Sequence, residues 1–157
     1  MVHVTSVPED VFRKGSTALE PHARGFTTGA LGDCVFLVAF WDFHGVNAAE
    51  GRAHHVSGGA STEDVDALVQ GLDGEDVTLV FVTGSTYTGQ AETVLGRTFV
   101  HLRELAARRN WGVTEYAWHG GGPFIITTGL QYVQGSVLDA RPQPSQRPKN
   151  ARCCVVM

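Results

Sequence analysis

The sequence predicts an α/β fold of the α+β kind: a mixed, largely antiparallel sheet with helices packed outside it. Three observations carry this. Apolar runs of strand length outnumber those with helical spacing. The last third of the described pattern joins its strands through hairpin-length connections, which suit antiparallel neighbours. A chain of 157 residues, 43% of them apolar, has the size and composition of one domain that buries its own core.

Residues 2–7 alternate loosely and read as a short strand, while Pro8, Gly15 and Pro21 make 8–24 a polar, irregular connection where little chemistry is expected. Residues 1–24 therefore form an N-terminal segment, and 25–139 form the domain proper. Cys34 to Asp42, CVFLVAFWD, is a continuous apolar run bounded by Gly29 and Gly32 before it and His44-Gly45 after it, which predicts a buried strand. A second short strand is expected over Gly51 to Val56. Ser61 or Thr62, followed by Glu63 and Asp64, marks a helix start. That helix would run from Thr62 to Gly71 and place Val65, Leu68, Val69 and Leu72 on one face.

Val77 to Thr83, VTLVFVT, is a strong strand leading through Gly84 into a polar loop. From Ala91 to Asn110 the positions Val94, Leu95, Phe99, Leu102, Leu105 and Ala106 follow helical spacing, with arginines near the end that the helix dipole favours. Val113 to Trp118 reads as a strand, Gly120 to Gly122 as a tight turn, and Pro123 to Thr128 with Tyr132 to Val137 as closing strands. Residues 140–157, ARPQPSQRPKNARCCVVM, hold three prolines and four basic residues with little to bury, the composition of a flexible tail.

A net charge of −4 supplies no global basic field, so nucleic acid is not expected as a partner. The three cysteines are Cys34, Cys153 and Cys154, the last two adjacent, which offers neither a disulfide framework nor a zinc-type spacing. This usage fits a reducing, cytoplasmic setting. No run of about 18 apolar residues offers a membrane span, and the polar start MVHVTSVPEDVFRKG lacks a secretory core. His3, His22, His44 and His101 show no metal-ligand spacing, and neither a structural metal nor another cofactor is expected.

The stretch with chemical promise is ALGDCVFLV. A thiol becomes a nucleophile when a histidine takes its proton and backbone N–H groups face the oxyanion it creates. Gly32 and Asp33 form a turn before Cys34 that would leave nearby amides free of ladder bonds and contact substrate. His54 or His55 lies one strand later. The two point to opposite faces of a strand, so only one can meet Cys34. Thr27 and Thr28 stand ready to orient the imidazole. The competing reading of Cys34 is a buried, inert core thiol. His119 and the polar run Ser85 to Thr88 are secondary candidates for lining a pocket, although a turn histidine and a solvated loop explain them as well.

Thr28-Gly-Ala-Leu-Gly-Asp-Cys34, an apolar strand and then Gly51-Arg-Ala-His54 resemble the signature of the chemoreceptor glutamine deamidases, the CheD family. The resemblance extends through VTLVFVTGS, the GRTFVHL helix and the Gly120-Gly121 turn, spanning roughly residues 25–137. It implies sheets packed as a sandwich with flanking helices, shared with cytotoxic necrotizing factor-type toxin domains. It further implies a protein glutamine deamidase in which Cys34 is the nucleophile, His54 the general base and Thr28 the residue that orients it. Gly32, Asp33 and His55 would then border the substrate, a protein bearing an exposed glutamine. Asp33 stands where the family's pattern has serine, and Ser57-Gly58 replaces its Leu-Pro. An inactive binding domain of this fold, or a Cys-His peptidase or transglutaminase, would use the same residues differently.

Cys154-Val-Val-Met157 has the C-a-a-X form read by a farnesyltransferase. Cys153 as a palmitoyl site and the basic residues Arg141, Arg147, Lys149 and Arg152 would add the second signal that stable anchoring needs. The expectation is a cytoplasmic enzyme that a lipidated tail can tether to a membrane in a eukaryotic cell.

Overall fold

A computed structural model describes residues 3–84, 94–118, 122–134 and 140–141. In chain order the elements are β1 (Thr5–Val7), β2 (Glu9–Asp10), β3 (Thr17–Ala18), β4 (Gly25–Thr28), β5 (Val35–His44), β6 (Asn47–Val56) and α1 (Thr62–Leu68). They continue with β7 (Thr78–Thr83), α2 (Val94–Arg109), β8 (Gly112–Ala117), β9 (Phe124–Thr127), β10 (Tyr132–Gln134) and β11 (Ala140–Arg141). One sheet runs β1-β4-β9-β10-β11; the other runs β2-β6-β5-β7-β8, with β3 also on β6. Most pairings are antiparallel, and β1–β4, β2–β6 and β7–β8 are parallel. The mixed, largely antiparallel α+β sandwich with flanking helices is therefore what the chain forms.

The alternation of β5 builds two cores from one strand. Val35, Leu37 and Ala39 join Leu79 and Phe81 of β7 against Val65 and Leu68 of α1 and Phe99 and Leu102 of α2. Cys34, Phe36, Val38 and Phe40 turn the other way, onto Phe26, Phe124 and Ile126 of the second sheet. An apolar run without polar interruption is what a strand buried on both faces requires. The layers are thus helices, the larger sheet and the smaller sheet. Gly51 has its place for a physical reason: a Cβ there would stand 3.0 Å from the Phe40 ring and 3.1 Å from that of Phe26.

The hairpin of β5 and β6 closes with the two-residue loop Gly45-Val46, where Gly45 takes φ +68° as a tight reversal demands. This loop makes β6 begin at Asn47, four residues before the strand expected from sequence. Ser61 caps α1 through a reciprocal pair with Asp64, its hydroxyl accepting from the Asp64 N–H while the carboxylate accepts from the Ser61 N–H. The helix ends at Leu68 and not at Gly71, with Val69 as its cap.

Two sequence expectations need correction. The short strand expected within 2–7 forms as β1 beside β4, but residues 8–24 are no irregular connection: β2 and β3 pair with β6 in the larger sheet. Strands of two residues carry too short an alternation to stand out in a sequence. At the other end, Ala140–Arg141, placed in the tail by composition, forms β11 and pairs antiparallel with β10. The glycine turn expected at 120–122 lies mostly outside the described residues, as do residues 142–157.

Phe40 is fully buried, with its ring centroid 5.7 Å from that of Phe26. Phe40→Ala should lower the unfolding free energy by about 3–5 kcal/mol in a denaturant titration, because the rigid sheets cannot collapse onto the vacated volume.

Candidate functional site

The strand ends of both sheets meet at one edge of the sandwich, and the chemistry gathers there. Cys34 precedes β5, Thr28 closes β4, His55 lies near the end of β6, and Glu9 sits in β2. The Cys34 N–H donates back to the Leu31 carbonyl, closing the turn that carries Gly32 and Asp33. That amide is free of the ladder, as expected, but it is committed to the turn. The Gly84 N–H donates to the Cys34 carbonyl at 3.3 Å, and a Cβ at Gly84 would lie 2.0 Å from the Gly32 oxygen. Only glycine lets the end of β7 press so closely on the Cys34 turn.

Register decides which histidine meets the thiol. In the β5–β6 ladder Phe36 is opposite His55 and Leu37 is opposite His54. Cys34 and Phe36 share the face that looks onto the smaller sheet, so His55 is the histidine on the Cys34 side. The Cys34 sulfur, a Glu9 carboxylate oxygen and a His55 ring nitrogen all lie within 4.8 Å of one another. The expected Cys34–His54 pair is not formed; the histidine brought near Cys34 is His55, with a ring nitrogen within 4.8 Å of the sulfur.

A hydroxyl has one proton to donate, and Thr28 gives its proton to the Val7 carbonyl at 2.8 Å. Its oxygen lies 2.6 Å from His55 Nδ1 and must accept there. The proton of a neutral His55 consequently resides on Nδ1, and Nε2 carries a lone pair. That nitrogen is buried and has no hydrogen-bond partner among the described residues. Thr28 thus holds the imidazole of His55, not that of His54.

Burial dominates the electrostatics of the pair. Desolvation pushes the Cys34 thiol above its ordinary value, the negative Glu9 and Asp33 push the same way, and a hydrogen bond from the Gly58 backbone opposes them without prevailing. For His55 desolvation again leads and lowers the imidazole; Glu9 opposes it and His54 reinforces it. Both shifts favour a neutral thiol beside a neutral imidazole. Glu9 approaches the sulfur at 3.7 Å and Asp33 at 3.8 Å. Glu9, Gly32 and Asp33 are exposed, so Cys34, itself only 5% exposed, lies just under the surface they form.

His54 faces the helical side and donates from Nε2 to Asp10 at 2.8 Å. Asp10 also accepts from the backbone N–H groups of Phe12 and Gly15. Desolvation pushes its carboxyl up, but hydrogen bonds from Gly15, Lys14 and His54 outweigh this and hold it well below the usual carboxylate range. The pair pins the 10–15 turn onto β6 and leaves His54 no part beside the thiol.

Sequence reasoning missed Glu9 and Asp10, which lie in the segment judged uninformative, and no local pattern marks them. His55 was within reach: a two-residue loop at Gly45-Val46 makes register partners sum to a constant, which sets His55 opposite Phe36 on the face of Cys34. His119, Ser85 to Thr88, Cys153 and Cys154 lie outside the described residues. No protein-family model and no curated protein matches this chain.

Two measurements check this account. In a Cys153→Ser, Cys154→Ser background, Glu9→Gln should shift the pH curve of Cys34 alkylation by iodoacetamide to lower pH, since a charge that disfavours the thiolate is gone; an unmoved curve contradicts the electrostatics above. A carboxyl lowered on folding adds stability in full above its unfolded value and loses it as pH falls. Asp10→Asn should therefore show a shallower loss of unfolding free energy than the wild type from about pH 4 downward.

Proposed function

We propose that this chain is a cysteine-dependent protein glutamine deamidase with Cys34 as nucleophile and His55 as general base. One observation carries the reading: the unpartnered Nε2 of a buried histidine, its other nitrogen held by Thr28, on the same face as the only cysteine among the described residues. The resemblance of residues 28–34 and 51–54 to the CheD signature supports the same chemistry, with the base moved one residue along the strand.

His55 Nε2 takes the thiol proton as sulfur attacks the carboxamide carbon. The imidazolium returns that proton to the departing nitrogen, which leaves as ammonia and a thioester remains. His55 then removes a proton from water as it attacks the thioester, releasing glutamate and restoring the thiol. Transferring the proton within the pair suits groups that rest neutral, because no standing thiolate is needed. Asp33 and Glu9 offer carboxylate acceptors for the substrate's amide N–H groups at the mouth of the site. Beside Glu9 a concavity of about 420 Å³ is lined by residues 8–12 and 14–17, with Val11 54% and Phe12 78% exposed. An apolar rim of this kind suits a protein segment better than a free amino acid.

A binding domain that uses the fold with Cys34 as packing is favoured by the thiol's burial and upward shift. Peptide mass spectrometry of lysates incubated with the protein separates the two. Cys34→Ser and His55→Ala should abolish glutamine-to-glutamate conversion, whereas His54→Ala should retain it wherever the variant stays folded. No conversion by the wild type, with slow alkylation of Cys34, selects the binding domain.

Among the described residues no helix is long and apolar enough to cross a membrane. The lipid tether read from Cys153 and Cys154 belongs to the proposal: intact mass of the full chain from eukaryotic cells should carry an added isoprenoid, and an unmodified mass removes it.

A further inference from the structure

We propose that Glu9, Cys34 and His55 form a reversible binding site for a thiophilic divalent cation of the zinc class. The three side chains come from β2, the turn before β5 and the end of β6, and their ligand atoms already lie within 4.8 Å of one another. Three atoms on a tetrahedral cation with arms of about 2.0–2.3 Å stand roughly 3.3–3.8 Å apart. Cys34 Sγ and Glu9 Oε2, at 3.7 Å, have that separation.

An independent observation points to a ligand here. His55 is 1% exposed, and its Nε2 lacks a partner among the described residues. A buried nitrogen with an unused lone pair leaves its desolvation uncompensated, and a cation supplies what is missing. The Thr28 hydroxyl holds Nδ1–H, the outer contact that orients a metal-ligating imidazole and keeps its other nitrogen deprotonated. Sulfur and imidazole select zinc-like ions over magnesium or calcium, which prefer oxygen alone. Three protein ligands leave a fourth position for water, the form of an open site and not of a structural one. The sequence conceals it because the ligands are distant along the chain and follow no short spacing.

Binding forms a metal–sulfur bond and releases the thiol proton to solvent, with no change of oxidation state. The cation then occupies both Sγ and Nε2, so the bound form cannot attack an amide. This inhibitory consequence rests on the deamidase reading above; the binding does not.

The test uses the reduced full chain with Cys153→Ser and Cys154→Ser, which removes the other thiols. Co²⁺ titration should give one equivalent per chain with a thiolate-to-cobalt charge-transfer band, displaced by Zn²⁺. Zn²⁺ should protect Cys34 from iodoacetamide, and a chelator should restore its reactivity. Cys34→Ser should lose the band. Glu9→Gln and His55→Gln should each weaken Zn²⁺ binding by at least about tenfold, the loss usual even for an outer-shell partner. Glu9 is exposed, so its variant reports on binding even if His55→Gln does not fold. Unchanged affinity in Glu9→Gln, a band that survives Cys34→Ser, or no protection of Cys34 overturns the proposal. None of these readings requires a substrate, so they stand apart from any failure to observe deamidation.

Discussion

The register between β5 and β6 is the constraint on which the rest depends. A two-residue loop at Gly45-Val46 fixes nine register pairs, and from Val35 to Phe40 each residue's face follows from its parity. Over Val35–Phe40 the even positions build the core between the sheets and the odd positions build the core under the helices; past Asp42, at φ +59°, Phe43 also packs on the between-sheet core. The same parity brings His55 to the Cys34 side and sends His54 away. A slip of one residue would exchange side chains between the two cores and exchange the two histidines with them, so the packing that fixes the register also fixes the site.

The site lies where several strand ends leave the ladder, and end-of-strand contacts hold its groups, except for His55 Nε2, which has no partner among the described residues. Thr28 passes one hydrogen bond to Val7 and receives another from His55, linking β1, β4 and β6 through a single hydroxyl. Gly84 presses on the Cys34 turn from β7. This network sets one imidazole tautomer without a carboxylate partner, and a neutral orienting group leaves the imidazole less basic than an aspartate would. The carboxylate at the site, Glu9, stands instead on the side of the thiol, where it disfavours thiolate and offers an oxygen to a cation or to an amide.

The two histidines illustrate how adjacent residues of one type take different duties. His54 belongs to a pinned turn through Asp10, whereas His55 is held by a hydroxyl and its Nε2 has no partner among the described residues. Sequence alone presents them as equivalent, and the G-x-A-H likeness favours the first. Alternation shows that they must differ; the hairpin's loop length shows which is which.

From its sequence this chain is legible as an α+β domain whose apolar strands at Cys34 to Asp42 and Val77 to Thr83, helix over 91–110 and capped helix after Ser61 follow from periodicity and local capping, which are properties of neighbouring residues. The nucleophile candidate Cys34 and the orienting Thr28 were legible for the same reason, being close in the chain on either side of one turn. The histidine on the Cys34 face follows from the hairpin's loop length, but the two N-terminal acids and the strand pairing of residues 5–18 were not legible. They depend on which distant strands come to lie side by side, and that is decided when burial of both faces of β5 selects one register among those the local pattern allows.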